Sequence, residues 1–145
     1  MYVAKLHGAR VIAGVRSRQK PEATGLGADQ VMAIDDDAEI AGLPMLDAIA
    51  DTVGHEIIAK LLEHLKPKGT LGSVLGEPPA AKGKPILVRA FMAHPDAKRL
   101  GELAMAVARG DLKIPIARRL PLAQAAEAQR LAERGGSGGK VLLRM

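Results

Sequence analysis

Residues 46–76 read LDAIADTVGHEIIAKLLEHLKPKGTLGSVLG, and a change of hydrophobic period inside this stretch decides the fold. Residues 46–51 read as a strand ending at Thr52-Val53-Gly54. The period then lengthens. Ile57, Ile58, Leu61, Leu62 and Leu65 fall on one helical face while Lys60, Glu63 and His64 fall elsewhere, which predicts an amphipathic helix. Lys66-Pro67-Lys68-Gly69 ends that helix in a turn, and residues 70–75 supply the next strand. Strand, helix and strand at this spacing make a right-handed crossover between parallel strands.

The same rhythm extends in both directions. Upstream, residues 1–7 read as the end of a helix stopped by Gly8, and 10–15 as a strand. Pro21 opens a brief helix that Gly25 and Gly27 close, since proline is pre-organised for the first helical position. Residues 31–34 are a further strand, with Asp35, Asp36 and Asp37 in a solvated loop beyond it. Downstream, the Gly- and Pro-rich stretch 76–85 predicts a mobile loop, 86–91 a strand, and 96–109 a long helix stopped by Gly110. Residues 114–118, 122–133 and 140–144 then read as a strand, a helix and a strand, with a glycine loop at 135–139. The predicted architecture is α/β: a partial Rossmann-type, doubly wound parallel sheet over residues 1–112, followed by a strand–helix–strand tail over 113–145.

Composition narrows the chemistry. Lys and Arg outnumber Asp and Glu by 21 to 16, a formal charge of +5, yet the densest basic cluster is only Arg16, Arg18 and Lys20. That is sized for one small anionic group, and Tyr2 and Phe91 alone cannot make the stacking platform that single-stranded nucleic acid needs. No nucleic-acid partner is expected. With no cysteine there is neither a disulfide framework nor a thiolate zinc site. No apolar run approaches a membrane span and no leader opens the chain, so no membrane is expected and the cytoplasm is the expected compartment.

The glycine loop before Lys140 lacks the Walker pattern, because Arg134 stands where the first glycine is needed and Val141 where a hydroxyl is needed. The acidic run of 35–39 lacks the spacing of a calcium loop. His7, His55, His64 and His94 show no paired ligand spacing, so no metal is expected. The turn Arg16-Ser17-Arg18-Gln19-Lys20 is different. It follows the carboxyl end of a strand, where open α/β sheets bind ligands, and offers three cations around one serine with no acid. A 2′-phosphate needs such donors, whereas a ribose diol needs a carboxylate. A basic but merely solvated loop is the competing account.

In order, Ala4-Lys5-Leu6, Gly8-Ala9-Arg10-Val11-Ile12, Lys20, Leu26-Gly27-Ala28-Asp29-Gln30-Val31, Asp51-Thr52-Val53-Gly54, Leu65-Lys66-Pro67-Lys68-Gly69, Leu120-Pro121-Leu122, Ala125-Ala126-Glu127-Ala128 and Gly139-Lys140-Val141-Leu142-Leu143 resemble the later half of the medium-chain dehydrogenase/reductase family. The zinc-independent quinone oxidoreductase branch is the nearest in pattern, with the zinc-type alcohol dehydrogenases as cousins. The resemblance implies NADP(H) as cofactor and a quinone, enone or aldehyde-type small molecule as substrate. It implies that Arg16, Ser17, Arg18 and Lys20 grip the adenosine phosphate. Thr52, Val53 and Gly54 would lie beside the adenosine, Val74, Leu75 and Gly76 beside the nicotinamide, and Lys140 near the pyrophosphate. It identifies no catalytic acid or base. The family's first strand, its glycine-rich turn and its catalytic domain would precede Met1, so this chain is expected to be incomplete as an enzyme. A central strand is thereby expected to be missing between 10–15 and 46–51, and self-association into a homo-oligomer is the expected remedy. A non-catalytic nucleotide-binding or oligomerisation module, or an inactive truncated fragment, are the alternatives.

Overall fold

The computed structural model describes residues 1–54 and 56–145; His55 lies outside the described residues. In chain order the elements are α1 (Tyr2–Leu6), β1 (Ile12–Val15), α2 (Lys20–Thr24), β2 (Gln30–Ala33), α3 (Asp37–Ala41), β3 (Leu46–Asp51), α4 (Ile57–Leu62), β4 (Leu65–Ser73), β5 (Leu87–Ala90), α5 (Ala97–Ala108), β6 (Ile116–Pro121), α6 (Ala125–Arg134) and β7 (Lys140–Arg144). Strands β3, β4 and β5 form one parallel sheet in that order. Strands β1 and β2 form a second, and backbone bonds from Gln30 to Val11 and from Ile34 to Val15 show that they too run parallel. The α/β alternation read from residues 46–76 is thus the architecture of the chain.

Four local readings are corrected. Helix α4 stops at Leu62, and Leu65 opens β4 opposite Leu46. The next register pair is Ala48 with Thr70, so the 66–69 turn is a bulge inside β4 rather than a helix terminus. It is tight: a Cβ on Gly69 would meet the Lys66 carbonyl oxygen at 2.8 Å. Second, the acidic run is not a plain solvated loop. The Asp36 carboxylate accepts the Ala38 and Glu39 backbone N–H groups and caps α3, which begins at Asp37. Third, the loop after β4 carries a 3-10 turn at Pro79–Ala81 whose Ala81 is buried in the core. Fourth, the tail strand β6 lies at Ile116–Pro121, two residues later than its apolar run suggests.

Contacts divide the chain into two units. One comprises Ile12–Lys20 and Val31–Pro95; the other comprises Met1–Val11, Pro21–Gln30 and Asp96–Met145. The first unit holds the large buried side chains. Ile58, Leu62, Leu65, Leu71 and Ala81 form one cluster beneath β3–β5, and Met32, Ile40 and Leu43 form another beside Ile12 and Ile34. The apolar stripe of α4 serves both clusters, with Ile58 and Leu62 in the former and Ile57 against the latter. The second unit buries only small side chains, Ala23, Ala106 and Ala128. There β6 and β7 pair in parallel, and the Asp29 carboxylate ties Lys5 Nζ to the Val11 N–H.

Among the described residues β1 and β3 do not pair, so the doubly wound sheet is interrupted between them. Strand β7 is committed to β6 and extends neither edge. The described helices include none long and apolar enough to cross a membrane.

Candidate dinucleotide site

Chain leaving β1 passes through Arg16 in an extended conformation into a 3-10 turn at Ser17–Gln19, with the Arg16 N–H donating to Gln19 Oε1 at 3.2 Å. The Ser17 backbone N–H and its hydroxyl both donate to Oδ1 of Asp35, each at 2.7 Å. Two donors converging on one oxygen are a grip for an oxyanion. The Ser17 hydroxyl first, and then its N–H, hold the Asp35 carboxyl below its ordinary range against partial desolvation. Lys20 is treated similarly by α3. Its Nζ donates to Glu39 Oε1, and Glu39 Oε2 accepts the Ala33 N–H at 2.8 Å. The Lys20 ammonium is the main cause, and the Ala33 N–H the second, of a lowered Glu39 carboxyl.

The basic turn is therefore not four open donors. Ser17 and Lys20 are engaged by Asp35 and Glu39, two acids that the sequence reading left out of the site. Each partner is 18 or 19 residues away. Only the side-by-side placement of parallel β1 and β2 brings the ends of those strands together, so sequence spacing carries no direct signal.

The loops after β3 and β4 are joined by a polar chain. Asp51 Oδ1 accepts the Val53 and Gly54 N–H groups at 3.1 and 2.7 Å, and Asp51 Oδ2 accepts the Ser73 hydroxyl at 3.3 Å. Ser73, buried to 1% exposure, accepts the Leu75 N–H at 3.1 Å. Gly54 has φ 72°, and a Cβ there would lie 2.6 Å from Leu75 Cδ1. Thus the structure brings Thr52-Val53-Gly54 against Val74-Leu75-Gly76 and leaves Val53, Val74 and Leu75 exposed. Asp51 and Ser73 organise this arrangement; the strand-final position of Asp51 was the available signal. Lys140 belongs to the other unit, where its N–H donates to the Pro115 carbonyl at 2.8 Å.

No group of three His, Asp or Glu side chains among the described residues is arranged to hold a metal, and the chain has no cysteine. His64 contacts the Leu43 carbonyl through Nδ1 at 3.0 Å, a structural role. These residues do not fit a zinc ion. They do fit part of a dinucleotide: an oxyanion grip beyond β1, and exposed aliphatic side chains on paired loops beyond β3 and β4.

Parallel strands, α-helical crossovers and strand-end loops of this kind define a Rossmann-type α/β fold. A model of zinc-binding dehydrogenases matches residues 26–143, and the chain belongs to that family. Among solved structures it is similar to the quinone oxidoreductase from Coxiella burnetii, at 27% identity and TM-score 0.83, covering 99% of this chain and 47% of that one. It is also similar to an NAD-dependent alcohol dehydrogenase, at 26% identity and TM-score 0.76, covering 99% and 46%. The cobalt- and zinc-bound thermostable alcohol dehydrogenase from Pyrobaculum aerophilum shares the fold at 23% identity and TM-score 0.78, with 99% and 45% covered. The chain spans about half the length of these relatives. Among curated proteins no sequence matches it.

Proposed function

We propose that this chain is the cofactor-binding portion of an NADP(H)-dependent oxidoreductase that delivers hydride to a quinone, enone or aldehyde-type small molecule in the cytoplasm. The observation that carries the reading is the turn beyond β1, where Arg16 and Arg18 flank Ser17, whose two donors converge on one oxygen, that of the chain's own Asp35. In this reading Arg16, Ser17 and Arg18 bind the adenosine 2′-phosphate, and Lys20 braces the turn through Glu39. Thr52, Val53 and Gly54 flank the adenosine. Val74, Leu75 and Gly76 flank the nicotinamide, where the exposed Val74 and Leu75 side chains exclude water from one side of the ring. Bound NADP(H) supplies the hydride chemistry itself, while the protein orients and shields. No residue of this chain is assigned as a general acid or base.

The test is a titration of the chain with NADPH and NADH. NADPH is expected to bind more tightly, and Arg16→Ala to reduce that preference by roughly tenfold through lost charge-assisted bonds. Equal affinities in the unsubstituted chain would refute the assignment. A non-catalytic nucleotide-binding or oligomerisation module is the second reading, favoured by the edges of β1 and β3 that have no partner strand among the described residues.

A further inference from the structure

The dinucleotide reading leaves the Asp35 carboxylate without a role, although it occupies the Ser17 donors which that reading gives to a phosphate. We propose that Asp35 is an internal rival of the 2′-phosphate, a specificity-determining residue that restrains the preference for NADPH set by Arg16 and Arg18. The inference rests on the dinucleotide reading above. A backbone N–H donates once and a hydroxyl has one hydrogen, so both Ser17 donors are spent on Asp35 Oδ1. A phosphate oxygen takes them only by displacing that carboxylate. Asp35 is exposed, so its displaced carboxylate rehydrates in place, and the exchange buries no charge. The carboxylate nonetheless stays close, repelling a phosphate that carries about −1.5 to −2 charges. A ribose hydroxyl meets no such repulsion and can donate to the same carboxylate.

The neighbouring acids are otherwise employed. Asp36 caps α3, Asp37 pairs with Lys60 at 2.6 Å, and Glu39 is anchored on both oxygens by Lys20 and the Ala33 N–H. Asp35 is the acid of this run that sits on both hydrogen-bond donors of Ser17. Its effect on binding is that of an exposed charge, several-fold rather than orders of magnitude.

Calorimetric titration of the chain with NADPH and with NADH tests this on Asp35→Asn, Asp37→Asn and Arg16→Ala. Asparagine keeps an acceptor oxygen for Ser17 and removes only the charge. Asp35→Asn is expected to tighten NADPH about two- to fivefold with NADH unchanged or weaker, whereas Asp37→Asn leaves the ratio unaltered. Should Asp35→Asn fail to give the native melting transition, Asp35→Ser is expected to move the ratio in the same direction. An unchanged or lowered NADPH-to-NADH ratio in the folded Asp35 variants, with Arg16→Ala still weakening NADPH, overturns the role of Asp35 and leaves the site assignment standing. If Arg16→Ala has no effect on NADPH, or if neither the unsubstituted chain nor the Asp35 variants bind dinucleotide, both fall together.

Discussion

Single residues in this chain are set by carboxylates reaching across sequence. Asp29 accepts from Lys5 Nζ and from the Val11 N–H at 2.7 Å. Lys5 first and Val11 second depress its carboxyl. For a depressed carboxyl, the stabilisation is complete above the unfolded value of about 4 and is lost as pH falls through the lower folded value. Asp29→Asn is therefore expected to lower the melting temperature at neutral pH by a few degrees at most, because the pair is exposed to solvent screening. The difference from the unsubstituted chain should close progressively as the pH falls below about 4. Melting curves across that range check it, and a gap that widens on acidification would contradict the assignment. Asp35 and Glu39 obey the same sign, so the basic turn is braced at neutral pH and loosens in acid.

At the scale of elements, the glycine-rich stretch before β7 shows how one sequence feature serves two purposes. Gly135 and Gly138 have positive φ values and make the turn. Gly139 does something else: a Cβ there would meet Pro115 O at 2.6 Å and Ala117 N at 2.9 Å, so glycine permits β7 to approach β6. Gly101, inside α5, has nothing within 4 Å of a Cβ and no positive φ. Alanine substitutions at these two glycines are expected to differ in sign. Gly139→Ala should destabilise by about 1–3 kcal/mol through backbone overlap, and Gly101→Ala should stabilise by up to about 1 kcal/mol through helix propensity. Denaturant unfolding of both variants measures this, and like-signed changes would count against the β6–β7 geometry.

For the whole molecule, the distribution of apolar surface matters most. Leu71 is fully buried, yet both units expose large apolar side chains: Leu75, Phe91 and Met92 in one, and Leu6, Leu100, Met105, Ile114, Leu122 and Leu143 in the other. The sheet edges of β1 and β3 also lack partners among the described residues. Open edges and exposed apolar side chains both gain free energy when another chain covers them. Self-association of this chain is therefore proposed, and sedimentation at roughly micromolar concentration should detect species larger than 15.2 kDa. A folded, stable monomer under those conditions would defeat the proposal.

Apolar runs, helical period and the Gly/Pro punctuation were sufficient to place β3, α5, the closing strand β7 and all but the end of α4, because each is a pattern local to its own element. The family resemblance was legible in the same way, as short segments in order. Helix α3 escaped notice because its start is announced by a cap, Asp36, inside what reads as an acidic loop. The 66–69 segment was legible as a turn, but only pairing with β3 made it a bulge within a strand. Residue types located the basic turn after β1, whereas the loops after β3 and β4 were singled out only through the family resemblance. Tertiary structure decided which of those donors are already engaged, because the Ser17–Asp35, Lys20–Glu39 and Asp51–Ser73 bonds span 18 to 22 residues. Contacts of that range follow from parallel strands placing their ends side by side, a relation that no local pattern encodes.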